Sequence, residues 1–226
     1  MSTFLLLPGA GGAGWYWHLV VPLLESAGHV AIAVDLPAAD ERAGLAAYAE
    51  IATRAIAGRA DVVLVAQSLG GFTAPLVQGI ARLVLVNAMI PLPGETAGAW
   101  WDATGSEEAR LLAARRGGYT ETFDLDTYFL HDVPAAIAKE GEAHAAPEAK
   151  VVFGDRCTFE RWPDVPIHVV AGADDRFFPL DFQERVARER LGLAVDVVPG
   201  GHLVALARPR ALADRLLAYL RDPGRT

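Results

Sequence analysis

The stretch Asp61–Phe72, D-V-V-L-V-A-Q-S-L-G-G-F, decides how the rest of the chain is read. Its first half, Val62, Val63, Leu64 and Val65, is a short apolar run rich in β-branched residues, the kind that fills a buried strand. Ala66-Gln67-Ser68-Leu69-Gly70 follows directly, and helix-compatible sequence continues from about Leu69 to Ile80. A serine between small residues two positions away on each side, at a strand-to-helix junction, is the layout of a nucleophile elbow. There the chain turns sharply, holds the serine in a strained conformation, and tolerates only small neighbours. Ala66 stands where glycine is usual. On these residues alone, an ordinary tight turn with a capping serine is the competing reading.

Outward from this stretch, strand-like runs alternate with helical segments. Phe4–Leu7, Val30–Val34, Val62–Val65, Leu83–Val86, Ile167–Ala171 and Val195–Val198 are expected as six strands. Trp17–Ser26, Leu45–Ala57 and about Pro209–Leu220 carry helical spacing. Strands this short, apolar on both faces and separated by helices, predict an α/β fold whose mostly parallel six-stranded sheet has helices on both faces. The alternation stops between Asn87 and Pro166, a segment with Trp100, Trp101, the charged cluster Glu107, Glu108, Arg110, Arg115 and Arg116, and no clear strand. Residues 88–165 are therefore expected to form a small helical cap inserted into a single domain spanning 1–226, because so long a structureless loop is improbable in a compact domain.

Composition narrows the function classes. With 52% hydrophobic and 21% charged residues in 226, the chain can bury a full core and is not of disordered type. A formal net charge of −8 argues against nucleic acid and anionic membrane as partners. Cys157 is the only cysteine, which excludes an intramolecular disulfide framework and a cysteine-based zinc cluster. Met1–Leu7 lacks a basic n-region and reads as a strand, and no apolar run approaches a membrane span. A cytoplasmic protein, monomer or homodimer, is the expectation.

In open α/β sheets reactive groups gather at the carboxyl ends of the strands. Ser68 follows the third strand, Gly172-Ala173-Asp174-Asp175 the fifth, and Pro199-Gly200-Gly201-His202 the sixth. Serine, acid, histidine is the chain order of a triad built on such sheets. His202 suits the base, with Gly200 and Gly201 giving its loop the freedom to return over the serine. His168 lies inside a strand, His18 and His29 flank the first crossover, and His131 and His144 fall in the insertion; these read as structural or solvated, with His131 a candidate for the pocket wall. Asp174 and Asp175 are adjacent and cannot both face the imidazole. Asp35, in Asp35-Leu36-Pro37, reads as a structural turn.

With these blocks in place, the chain resembles the α/β-hydrolase superfamily along nearly its whole length. It looks most like the small plant-type esterases and hydroxynitrile lyases and their bacterial relatives. Leu7-Pro8-Gly9-Ala10-Gly11-Gly12-Ala13-Gly14-Trp15-Tyr16-Trp17 is similar to that branch's H-G-A-x-H-G-x-W-x-W block. Leu24-Glu25-Ser26-Ala27-Gly28-His29, Asp35-Leu36-Pro37, the triad blocks and Pro179-x-x-Phe182-Gln183 match it too. The resemblance implies Ser68 as nucleophile, His202 as base and, from the family's G-x-x-D spacing counted from Gly172, Asp175 as the acid. It further implies an oxyanion hole from the backbone N–H groups of Ala10 and Leu69. Gly9, Gly11 and Gly14 also echo a dinucleotide-binding G-x-G-x-x-G, but the bulky Trp15-Tyr16-Trp17 that follows suits a pyrophosphate poorly.

The departures are informative. Pro8 replaces a common histidine, while Leu203 and Gly9 stand where the branch's hydroxynitrile lyases carry lysine and threonine, which disfavours lyase chemistry. A serine in the elbow disfavours aspartate-nucleophile dehalogenases and epoxide hydrolases. No cofactor motif or metal cluster is apparent. Of the aromatics, Trp15, Trp100 and Phe178 are expected to face the substrate, a small apolar carboxylic ester or thioester. Alternatives at this stage are a C–C bond hydrolase, another cofactor-free reaction of the fold, or a non-catalytic small-molecule receptor that keeps the triad.

Overall fold

The apolar runs do pair, and they do so in one direction. The computed structural model describes residues 1–221. The chain runs β1 (Thr3–Leu7), α1 (Val21–Ser26), β2 (Val30–Ala33), α2 (Leu45–Ala55), β3 (Val62–Gln67), α3 (Gly70–Thr73) and β4 (Arg82–Val86). Four helices then precede the next strand: α4 (Ala97–Thr104), α5 (Ser106–Gly117), α6 (Ala135–Gly141) and α7 (Lys150–Gly154). It closes with β5 (Ile167–Gly172), α8 (Leu180–Leu191), β6 (Val195–Val198), α9 (Val204–Ala207) and α10 (Pro209–Tyr219). The sheet order is β2-β1-β3-β4-β5-β6, and every pair is parallel.

Side-chain alternation along each strand divides the interior in two. Leu5, Leu7, Leu64, Leu83, Leu85 and Val169 face a core closed by α2, α3 and α8. Phe4, Leu6, Val63, Val65, Val84 and Val170 face a second core closed by α1, α9 and α10. The sheet is thus buried on both faces, which explains why its strands carry almost no polar alternation.

Two expected helices are shorter than their sequence pattern, each because of a proline. Trp17–Ser26 is divided into a 3-10 turn over Gly14–Trp17 and α1, which starts at Val21 with Pro22 in its first turn. Leu69–Ile80 ends as α3 plus a 3-10 turn over Ala74–Leu76, since Pro75 has no N–H to continue the ladder.

Between β4 and β5 the chain leaves the sheet over residues 87–166 and returns. Besides α4 to α7 this excursion has a π-helical turn at Asp126–Leu130 and a single antiparallel bridge, Thr96 to Arg156. Within its charged cluster, Arg110 donates to Glu107 and to the Glu121 carbonyl, its guanidinium lying 4.7 Å over the Tyr128 ring, while Arg116 reaches out to Asp181 on α8. Several polar contacts tie it to the body. Arg190 on α8 pairs with Glu95 (Nη2–Oε1 3.0 Å), and Asp155 accepts from Leu45 N at the start of α2. The Cys157 thiol donates to the Phe72 carbonyl at 3.1 Å, and burial pushes its pKa up to about 12. Among the described residues, no helix is long and apolar enough to cross a membrane.

Candidate active site

At the end of β3 the chain reverses within one residue. Ser68 has φ +50°, a left-handed conformation that costs a non-glycine residue on the order of 1–3 kcal/mol. The turn is over-determined: Ser68 N donates to Val86 O, and the Ser68 carbonyl accepts from both Gly71 N and Met89 N. The small neighbours have a measurable reason. A Cβ on Gly70 would lie 2.7 Å from the Pro8 carbonyl, and one on Gly71 would lie 1.9 Å from the Met89 carbonyl.

His202 is completely buried. Its Nε2 lies 3.1 Å from Ser68 Oγ, and its Nδ1 lies 2.8 Å from Asp175 Oδ2. Both fall within the reach needed for proton transfer and for fixing the tautomer. Asp175, also buried, accepts at Oδ1 from Phe177 N and Phe178 N, while Gln183 donates to Oδ2. Asp174, one residue earlier, is exposed and turns away, accepting from Gly200 N. Of the two aspartates the geometry therefore selects Asp175. Phe129, Phe177 and Phe178 stand edge-on around the imidazole, with centroids 4.7, 5.1 and 5.2 Å away. This apolar collar lowers the local dielectric and strengthens the hydrogen-bonded pair inside it.

Asn87, which the sequence did not single out, holds the histidine loop from below. It is fully buried at φ +44°, accepts from Gly172 N (2.7 Å), and donates to the carbonyls of Gly201 and His202 (3.0 Å each). It thus links the ends of β4, β5 and β6. A buried polar residue directly after an otherwise apolar central strand is the one signal that could have found it.

The loop after β1 lies against the serine. A Cβ on Gly9 would be 2.8 Å from Ser68 Cβ and 2.4 Å from Gln67 Oε1, so only glycine admits this approach. Leu69 N precedes the first turn of α3, where a helix has no acceptor for it. Ala10, Leu69, Ser68 and His202 line one cavity of about 510 Å³. Asp35 accepts from Gly14 N at 2.7 Å, the structural role expected for it.

The cavity's wall is mainly apolar. Trp101, Leu125, Phe129, Ile137, Phe153 and Phe177 supply much of it. Of the three aromatics expected there, only Trp15 lines it, stacked between His18 (4.4 Å) and His144 (4.8 Å). Trp100 and Phe178 do not. Trp100 is buried beneath the cavity, with its indole N–H donated to the Ile90 carbonyl, and Phe178 packs between it and His202. Their neighbours Trp101 and Phe177, both half-buried, face the cavity instead. His131 also misses this cavity, lining instead a hollow behind Asp175 with Asp132 and Arg176; burial, and then Arg176, hold its pKa below the usual histidine value. His168 pairs with Arg82 and stacks on Tyr219.

A model of the Alpha/beta hydrolase family matches residues 4–215. Methyl jasmonate esterase 1 of Vitis vinifera is 37% identical over 106 residues, 40% of this chain and 40% of that protein. The matched stretch thus spans well under half of that relative's length. Alpha-hydroxynitrile lyase of Arabidopsis thaliana is 24% identical over a 253-residue alignment covering 97% of each. Among solved structures, a pyrethroid hydrolase from Sphingobium faniae JZ-2 superposes with a TM-score of 0.79 at 22% identity, over 98% of each chain. That likeness speaks for the fold.

Proposed function

The chain belongs to the alpha/beta hydrolase family, in the branch of plant esterases, hydroxynitrile lyases and bacterial relatives, and from that membership we propose a serine hydrolase that cleaves a small apolar carboxylic ester or thioester. The observation that carries the reading is the unbroken hydrogen-bonded line from Asp175 through His202 to Ser68, opening into an apolar cavity. Relatives named as esterases support it.

In this mechanism His202 Nε2 takes the Ser68 proton as Oγ attacks the acyl carbonyl. Asp175 keeps Nδ1 protonated and stabilises the imidazolium. The N–H groups of Ala10 and Leu69 receive the oxyanion, each worth about 3–4 kcal/mol by comparison with other enzymes. His202 then protonates the departing alcohol or thiol, and water, deprotonated by the same imidazole, releases the acid and restores Ser68. Leu203, apolar and lining the cavity directly after His202, offers no cation for a departing cyanide, so hydrolysis is favoured over lyase cleavage.

Turnover of a panel of p-nitrophenyl esters by wild type and Ser68→Ala tests the proposal, with a fluorophosphonate probe to report the serine directly. Wild type should hydrolyse the short apolar esters and take the label; Ser68→Ala should do neither. A wild type that neither turns over nor labels would sink the hydrolase reading in favour of a receptor.

A further inference from the structure

Both loops that complete the site are held from below by the body of the protein. They are also held from above, by two carboxylates of the excursion. Asp132 Oδ2 accepts from Gly201 N at 2.8 Å, next to His202. Glu148 Oε2 accepts from Gly11 N, also at 2.8 Å, next to Ala10. Glu148 is itself fixed, because Tyr48 on α2 donates to its Oε1 at 2.6 Å. The excursion touches each glycine so closely that a side chain would collide: a Cβ on Gly201 would lie 2.8 Å from Asp132 Oδ1, and one on Gly11, at φ +88°, would lie 3.1 Å from the Ala146 carbonyl.

From these contacts we infer that Asp132 and Glu148 are positioning residues, through which the excursion sets the histidine loop and the oxyanion loop. The inference rests on the serine-hydrolase reading above. A peptide group is planar, so fixing one of its polar ends fixes the direction of the other. Gly12 N donates to Gly9 O, which orients the Gly9–Ala10 plane and with it the Ala10 N–H. Glu148 fixes the next plane, Ala10–Gly11, so the residue presenting the N–H is clamped on both sides. At the other loop, Asp174 N donates to Gly200 O and Asp132 accepts from Gly201 N, the two ends of one plane. Asn87 holds the following plane through Gly201 O. His202 therefore inherits its place from Asn87 beneath and Asp132 above. Catalysis by groups preset in this way is sensitive to displacements well under a bond length.

The test compares Asp132→Ala and Glu148→Ala with Asp132→Asn and Glu148→Gln, whose amide oxygens still accept an N–H. Four readouts are needed: kcat and KM on an activated ester, the rate of fluorophosphonate labelling of Ser68, affinity for an alkylboronic acid as tetrahedral mimic, and affinity for the carboxylate product. Each alanine variant should lose roughly 10- to 100-fold in kcat and in labelling rate, with KM and product affinity within about threefold. Glu148→Ala should also bind the boronic acid more weakly, and the amide variants should recover most of the loss. A merely structural role would lower the melting temperature and leave the ratio of mimic to product affinity unchanged. Should an alanine variant fail to fold, Tyr48→Phe and Asp132→Ser carry the same test. Folded variants that label at the wild-type rate, or that change KM alone, overturn the inference while leaving the hydrolase reading intact. A wild type that never labels overturns both.

Discussion

At the carboxyl end of the sheet, Ser68 and Asp175 are set by backbone within a few residues, a left-handed turn and two amides onto one carboxylate oxygen, and His202 follows a pair of glycines whose loop Asn87 and Asp132 then hold. In the excursion, Trp101, Leu125, Ile137 and Phe153 reach the cavity from four separate segments, and nothing beside any of them in the chain dictates that it should. The first region is built from local rules and tolerates almost no change of residue type. The second is built from tertiary packing, where apolar residues exchange more freely. On the proposed function, chemistry is fixed in the one and specificity adjusted in the other.

The two adjacent aspartates give the sharpest way to break this contrast. Asp175→Asn should lower kcat by about 10⁴-fold, since the imidazole loses its orienting anion. Asp174→Asn, on an exposed carboxylate, should leave kcat within about threefold. Comparable losses in a steady-state ester assay would mean that local backbone position does not assign their roles.

The tryptophan pair tests the other region. Trp100→Ala should cost about 3–5 kcal/mol in denaturant unfolding, as expected of a large buried side chain, with KM little changed in the folded protein. Trp101→Ala should raise KM roughly tenfold, about 1.4 kcal/mol of binding, with a smaller loss of stability. An exchange of these outcomes would put Trp100 in the substrate's path. Asn87→Ala should fall between the regions. It strands Gly172 N and two loop carbonyls, so about 2–3 kcal/mol should be lost in urea unfolding, with kcat falling beside it.

The smallest effect concerns Glu148. Burial holds its pKa above the usual carboxylate value, against opposing hydrogen bonds from Tyr48 and Gly11. Folding therefore favours its protonated form. Its favourable contribution is complete below the unfolded value of about 4.3 and disappears as pH rises through the raised folded value. Melting curves from about pH 4 to about pH 7 should show wild type losing stability relative to Glu148→Gln; parallel curves would mean that the carboxyl is solvated like any other.

The same contrast explains what was legible in the sequence. The six strands and their parallel arrangement follow from apolar runs that need no partner to be recognised. Ser68, Asp175 and His202 follow from strand-end blocks whose turns constrain residue type; the structure brings them together. The helical pattern overruns the observed helices at Pro22 and Pro75, where a missing N–H outweighs it. Asn87, Asp132 and Glu148 escaped, because their partners lie 85, 69 and 137 residues away and each ordinary-looking polar residue gains meaning only from that partner. Helical and turn phase decides which of two adjacent rings faces a cavity, so Trp101 and Phe177 line it where Trp100 and Phe178 are expected.

Cys157 turns the excursion into something that can be timed. It is the chain's only thiol, wholly buried, with its proton engaged by the carbonyl of Phe72 four residues past the serine. A disulfide reagent in solution can reach that sulfur only while the surrounding segment has opened, and the raised pKa keeps it from reacting as an exposed thiolate would. The slow absorbance change of such a reaction is therefore an opening clock for the segment packed around Cys157, present in the unmodified protein and needing no added label.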